Sequence, residues 1–207
     1  MPEKREKPEK KLILILGGVR SGKSAFALEL ARRMGRQVAF IATAQAEDEE
    51  MRRRIEEHRK ARPPHWRTIE APLGVARALR EESDRADVIL LDCLTLLVSN
   101  LLLEAGEGAS TQDAAARVTT EVEELLRGFQ RGAATLIVVS NEVGMGVVPP
   151  YPLGRAYRDL LGKANQILSQ AADKVYWMLA GLPVEIKASG LAATTPQPCK
   201  AQCDGQT

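Results

Sequence analysis

Residues 17–24 read Gly-Gly-Val-Arg-Ser-Gly-Lys-Ser, an order of residue types suited to holding phosphate. The run fits G-x-x-x-x-G-K-[ST], with Gly17, Gly22, Lys23 and Ser24 at the defining positions and Gly18, Val19, Arg20 and Ser21 completing the turn. Glycines let the chain curl until successive N–H groups point at phosphate oxygens, and a helix starting there adds its dipole. Lys23 would reach the β- and γ-phosphates of a nucleoside triphosphate, and the Ser24 hydroxyl would hold Mg2+. A glycine-rich turn that binds nothing is the plainer alternative. The apolar run Leu12–Leu16 before it and the amphipathic spacing after it favour the phosphate site.

Such a cradle needs an acid at the end of a buried strand, aimed at the metal. Asp92 closes the run Val88-Ile89-Leu90-Leu91 and is the candidate, since a carboxylate there is costly unless it faces a cation or donors. The alternative is a strand-end residue that caps the following turn. His58 is the third candidate. Met51, Ile55 and His58 stand at i, i+4 and i+7, on the face of a helix that looks inward. Periodicity alone favours a satisfied, partly buried histidine. Chemistry offers a nucleophile, because an imidazole attacks phosphorus readily and leaves readily from a phosphoramidate. Arg59, Lys60 and Arg62 beside it could neutralise a triphosphate or simply form a solvated face. His65, within Pro63-Pro64-His65-Trp66, reads as a structural loop residue.

Elements of alternating type must position these groups. LILIL (12–16), VAFIAT (38–43), DVILLDCLT (87–95) and ATLIVVSNEV (134–143) are continuous apolar runs of the kind buried on both faces of a parallel sheet. Helical patterns lie between them: Phe26, Leu30 and Met34 in one, then 47–62, 73–85, 118–130 and 160–171. Strand alternating with helix predicts a doubly wound α/β fold of the P-loop NTPase kind, with ligands outside the carboxyl ends of the strands. The turn 141–146 would lie on that side, and its glycines suggest a movable wall. The segment 174–187 differs. Two short strand-like runs flank Gly181-Leu182-Pro183, which predicts a strand pair at the sheet edge.

Bulk properties agree with one folded unit. The 207 residues are 44% hydrophobic and 27% charged, with a net charge of +2, which leaves no broad basic surface for nucleic acid or membrane. Residues 1–11 read as a charged, frayed leader, 12–187 as the folded domain and 188–207 as an aperiodic, disordered tail. Leu12–Leu16 is too short to span a bilayer, and no signal peptide is visible, so the expectation is a cytoplasmic protein. Cys93 reads as a reduced core thiol. Cys199 and Cys203 have no ligand cluster near them in sequence and predict no metal site.

From about Leu12 to Lys187 the chain resembles the bifunctional adenosylcobinamide kinase/adenosylcobinamide-phosphate guanylyltransferase family of cobalamin biosynthesis. The resemblance rests on GGVRSGKS (17–24), IATAQAEDEEM (41–51), RIEEHRKARPPHWRTIE (54–70), LLDCLTLLVSNLL (90–102) and SNEVGMGVVPPYPLGRAYRDLLGKANQ (140–166). It implies phosphorylation of a corrinoid, adenosylcobinamide, by ATP or GTP. Transfer of GMP from GTP to that phosphate through a guanylylated histidine would follow. The family's histidine corresponds to His58. Its nucleotide contacts carry over onto Gly17–Ser24, onto Ala42, Thr43 and Ala44, onto Arg59, Lys60, Ala61 and Arg62, and onto Glu70 and Asp92. Glu70, a carboxylate, suits the N1 and N2 donors of guanine. The resemblance also suggests a homo-oligomer, a trimer with sites between subunits. Two departures stand out: Glu57 occupies a position where some members have a second histidine, and Asp92 one where some have glutamate. A kinase of another small molecule would keep the cradle and Asp92 without needing His58. A non-enzymatic nucleotide switch would show no turnover, and a corrinoid-binding module would leave the cradle unexplained.

Overall fold

A computed structural model of the protein describes residues 9–46, 48–106 and 110–187. Most of the leader (1–8) and the whole tail (188–207), with Cys199 and Cys203, lie outside the described residues. In chain order the elements are β1 (Leu12–Gly17), α1 (Lys23–Met34), β2 (Val38–Ala42), α2 (Glu49–Lys60), β3 (Arg67–Glu70), α3 (Val75–Glu82), β4 (Val88–Asp92), α4 (Leu94–Glu104), α5 (Thr111–Arg131), β5 (Thr135–Val139), α6 (Pro152–Ala171), β6 (Lys174–Leu179) and β7 (Leu182–Lys187).

The strands form one sheet in the order β3-β2-β4-β5-β1-β6-β7, parallel throughout except for β7. Side chains on a strand alternate between faces, and the continuous apolar runs use both. Leu12, Leu14, Ile89, Leu91, Leu136 and Val138 pack into one core with α3, α4, α5 and α6. Their neighbours Ile13, Ile15, Val88, Leu90, Ile137 and Val139 pack into a second core with Ala27 and Ala31 of α1. The result is the expected P-loop α/β architecture, with β1, β2, β4 and β5 ending on the same edge. Among the described residues no helix is long and apolar enough to cross a membrane.

Several boundaries differ from the sequence expectations, each for a physical reason. The run 87–95 leaves the sheet at Asp92 and becomes α4, which buries Leu94, Leu97, Val98, Leu101 and Leu102 at helical spacing. A helix apolar on most sides shows little periodicity, so the run reads like more strand. The run 134–143 likewise stops pairing at Val139. β3 is absent from the sequence expectations. It is an edge strand whose one aliphatic side chain is Ile69, so it carries no buried-strand signal. α5 and α6 begin earlier than their apolar stripes, at the Ser110 cap and at Pro152 in the first turn. The β6–β7 hairpin turns at Ala180-Gly181, both with positive φ, so Leu182 and Pro183 already belong to β7.

Candidate active site

The chain leaves β1 at Gly17 and enters α1 through Gly22. Both have positive φ (154° and 92°), and a Cβ on Gly17 would lie 2.7 Å from the Met178 carbonyl oxygen. Only glycine fits that close approach. Lys23 curls back over the turn, its Nζ donating to the Gly18 carbonyl at 2.6 Å. Burial lowers the Lys23 pKa, while Cys93 and Asp92 pull it back up. The ammonium group therefore sits inside the curl, where a phosphate's charge would be met.

Asp92 ends β4 between Ala42 of β2 and Val139 of β5. Its side chain is 12% exposed. Burial raises its pKa, opposed by a hydrogen bond from the Ser24 hydroxyl and by the charges of His58, Arg62 and Lys23. One hydroxyl and one carboxylate are hard oxygen donors of the kind Mg2+ takes, alongside phosphate oxygens and water. Among the described residues no group of three or more His, Cys, Asp or Glu could form an all-protein metal cage. The pair fits a metal that arrives with its nucleotide.

These groups open onto a cavity of about 540 Å³ that α2 covers. Asp48 caps α2 by accepting from the Met51 N–H at 2.7 Å; Arg52 pairs with Glu49, and Arg54, paired with Glu50, reaches the cavity lining. Met51, Ile55 and His58 do share a face, but α2 buries no residue. That face looks onto the cavity instead of the core. His58 is 53% exposed, and its Nδ1 lies 3.9 Å from Asp92 Oδ2, too far for a hydrogen bond. Of the satisfied, partly buried histidine that periodicity alone favours, the fold keeps a half-exposed side chain but no hydrogen bond from Nδ1 to Asp92.

Most of the other candidates also reach the cavity. Val19, Arg20, Lys23 and Ser24 line it from the cradle, Ala42 and Ala44 from the end of β2, Arg59 and Arg62 from α2 and its exit, and Glu70 from the end of β3. The Arg62 guanidinium stacks 3.5 Å over the Phe40 ring, and its buried Nε has no partner among the described residues. Burial lowers its pKa. That is a cation held rigid and short of acceptors. Gly17, Gly18, Ser21 and Gly22 shape the turn from behind. Lys60 and Ala61 are exposed and stand off the cavity, and the Ala61 carbonyl accepts from Arg32.

Thr43 does not line the cavity. It is fully buried, and its hydroxyl both accepts from the Cys93 N–H and donates to the Cys93 carbonyl, each at 2.8 Å. Asn100 Nδ2 donates to the Thr43 and Pro72 carbonyls, both at 2.9 Å, tying the ends of β2 and β3 together. Thr43 thus clamps the chain beside Asp92. Thr43→Val keeps the shape but orphans the Cys93 N–H and leaves the Cys93 carbonyl only the Leu97 N–H at 3.3 Å, and should cost about 1–3 kcal/mol of stability in urea unfolding. An unchanged urea midpoint would remove the clamp role.

Cys93 is half-buried on the cavity wall, and burial pushes its thiol up to about 11, so it stays protonated and is no nucleophile. Thr68, Thr95 and Asn141 also line the cavity. The strand-end rule could have found Asn141. Thr68 lies on the strand that the sequence conceals.

Comparison with known proteins follows the same lines. A family model described as cobinamide kinase / cobinamide phosphate guanyltransferase matches residues 13–186. The bifunctional adenosylcobalamin biosynthesis protein CobP of Pseudomonas aeruginosa is 46% identical over 178 residues, covering 86% of this chain and 98% of that protein. The protein CobU of Escherichia coli, given the same bifunctional description, is 40% identical over 181 residues, covering 85% and 99%. Among solved structures, the RadB recombinase aligns with a TM-score of 0.44 and 14% identity over 81% of this chain and 73% of that one, too loosely to add to the sheet order. With its family model spanning nearly the whole described domain and relatives matched almost end to end, the chain belongs to the cobinamide kinase / cobinamide phosphate guanyltransferase family.

Proposed function

We propose that this chain performs both reactions of its family's name, on adenosylcobinamide, at the single cavity beneath α2. The observation that carries this reading is the placing of His58 over the same cavity as the phosphate cradle, beside Asp92. A simple kinase needs the cradle and the acid; it has no use for an imidazole there.

In the kinase reaction the corrinoid's hydroxyl oxygen attacks the γ-phosphorus of ATP or GTP. The new P–O bond forms as the β–γ bridging bond breaks, the nucleoside diphosphate keeps the electrons, and the hydroxyl proton passes to solvent. Lys23 and the cradle N–H groups meet the charge that spreads over the phosphates. In the second reaction His58 attacks the α-phosphorus of GTP, a P–N bond forms, and pyrophosphate leaves with the electrons of the broken P–O bond. Nδ1 is the nitrogen nearer Asp92, whose charge stabilises a proton there and leaves the lone pair on Nε2. A phosphate oxygen of the phosphorylated corrinoid then attacks the same phosphorus and releases the histidine, giving adenosylcobinamide-GDP. Mg2+, held by Ser24, Asp92 and the phosphates, would neutralise triphosphate charge. Arg59 and Arg62 supply further positive charge from the cover.

Incubation of the purified protein with adenosylcobinamide and GTP should give the phosphate ester first and the GDP adduct with pyrophosphate second. Neither product appearing would leave a kinase of another small molecule or a nucleotide switch. Glu70 is assigned to the guanine base. Glu70→Gln should weaken GTP about ten- to a hundredfold while changing ATP little, since an amide replaces one acceptor with a donor. Equal losses in nucleotide titrations would remove Glu70 from base reading. A homo-oligomer, a trimer, belongs to the same reading and rests on the resemblance alone, and a cytoplasmic location on the sequence reading.

A further inference from the structure

Asn141 places a polar side chain on the cavity wall that neither reaction yet uses. It follows β5, the strand between β4, which carries Asp92, and β1, which carries the cradle. Its backbone is pinned from every side. Its N–H donates to Thr95 Oγ1 at 2.8 Å, and its carbonyl accepts from Asn165 Nδ2 at 3.0 Å. The N–H groups flanking it donate to carbonyls of β1, Ser140 to Ile15 at 2.9 Å and Glu142 to Gly17 at 3.1 Å. Asn165 is itself buried and accepts from the buried Ser140 hydroxyl at 2.7 Å.

That network of buried polar groups fixes the peptide and leaves the carboxamide over. Among the described residues the Asn141 side chain makes no hydrogen bond to protein, although it stands in the cavity beside the cradle. A fully satisfied buried network is costly to assemble and rigidifies whatever it holds. Here it presents one amide at a fixed point, as preorganised donors must be presented. The point is also distinctive. α2, with His58, hangs between β2 and β3, on one side of Asp92; Asn141 stands on the other side, toward the cradle.

We infer that Asn141 is a contact residue for the end of the triphosphate remote from His58, its Nδ2 donating to a γ-phosphoryl oxygen. This rests on the proposed reading, in which His58 addresses the α-phosphorus. The carboxamide then serves the kinase reaction most, as charge redistributes over the phosphoryl group in flight. In guanylyl transfer the same end leaves as part of pyrophosphate, and the contact matters less.

Asn141→Ala and the isosteric Asn141→Asp remove the donor while sparing every protein hydrogen bond described above, so both should fold with melting temperatures near the parent's. With γ-labelled and α-labelled GTP in parallel, the ratio of corrinoid phosphorylation to protein guanylylation should fall about a hundredfold, the usual loss for one donor to a transition-state oxygen. In calorimetric titrations the preference for a non-hydrolysable triphosphate over the diphosphate should shrink about tenfold or more. An unchanged ratio, or equal losses in both reactions with the triphosphate preference intact, would overturn the assignment. Failure of the parent protein to take any α-label would count against the histidine reading alone, because the triphosphate preference still decides the role of Asn141.

Discussion

Lys23→Ala is expected to abolish both phosphoryl and guanylyl transfer, by about 10³-fold or more in each. Lys23 is the one amine inside the curl of the cradle, where its Nζ already touches the Gly18 carbonyl. Both reactions need the triphosphate held in line and its charge met at that spot. The substitution leaves the curl itself in place, because Gly17 and Gly22 set its path through their positive φ. Loss of activity with a retained melting transition is therefore the expected pair of results. Either reaction persisting near the parent rate, measured by product formation with labelled GTP, would remove the phosphate site from the account.

His58→Ala should separate the two reactions. Protein guanylylation and formation of adenosylcobinamide-GDP should fall by at least about 10³-fold, since GMP must pass through the imidazole. Phosphorylation of the corrinoid should stay within about tenfold, because that reaction goes directly to a bound alcohol and asks no covalency of the protein. The side chain is half exposed and α2 buries nothing, so its removal should cost under about 0.5 kcal/mol. Glu57 precedes it, so no adjacent histidine can substitute. The readout is the ratio of the two products from one incubation.

The parts of the site that sequence reveals are those whose chemistry is local. Gly17 to Ser24 declares itself through spacing, and Asp92 through a charge at the end of an apolar run. The direction in which His58 points is legible from its spacing with Met51 and Ile55, but what lies beneath it is not. Helical periodicity separates inside from outside without telling a core from a cavity. Thr43 shows the opposite failure. The family resemblance puts it among the nucleotide contacts, yet its hydroxyl is spent on Cys93, a partner fifty residues away in sequence that only the folded sheet brings near. β3 stays hidden because an edge strand with exposed Arg67 and Glu70 shows no buried run. α4 stays hidden because burial on most sides erases its period. The place of Asn141 at a strand end is legible in the sequence, but the network of Thr95 and Asn165 that fixes it needs the tertiary structure.

Mapping the label on the protein shows whether His58 becomes covalently guanylylated. The protein would be incubated with α-labelled GTP and Mg2+, denatured in base to preserve a phosphoramidate, and digested with trypsin at alkaline pH. Cleavage after Arg54 and Arg59 places His58 in the peptide 55–59, while His65 falls in 61–67. Acid-labile, base-stable label is expected on 55–59 alone, discharged when phosphorylated corrinoid is added before denaturation. Label on 61–67, or adenosylcobinamide-GDP formed with no labelled peptide and no loss in His58→Ala, would contradict it.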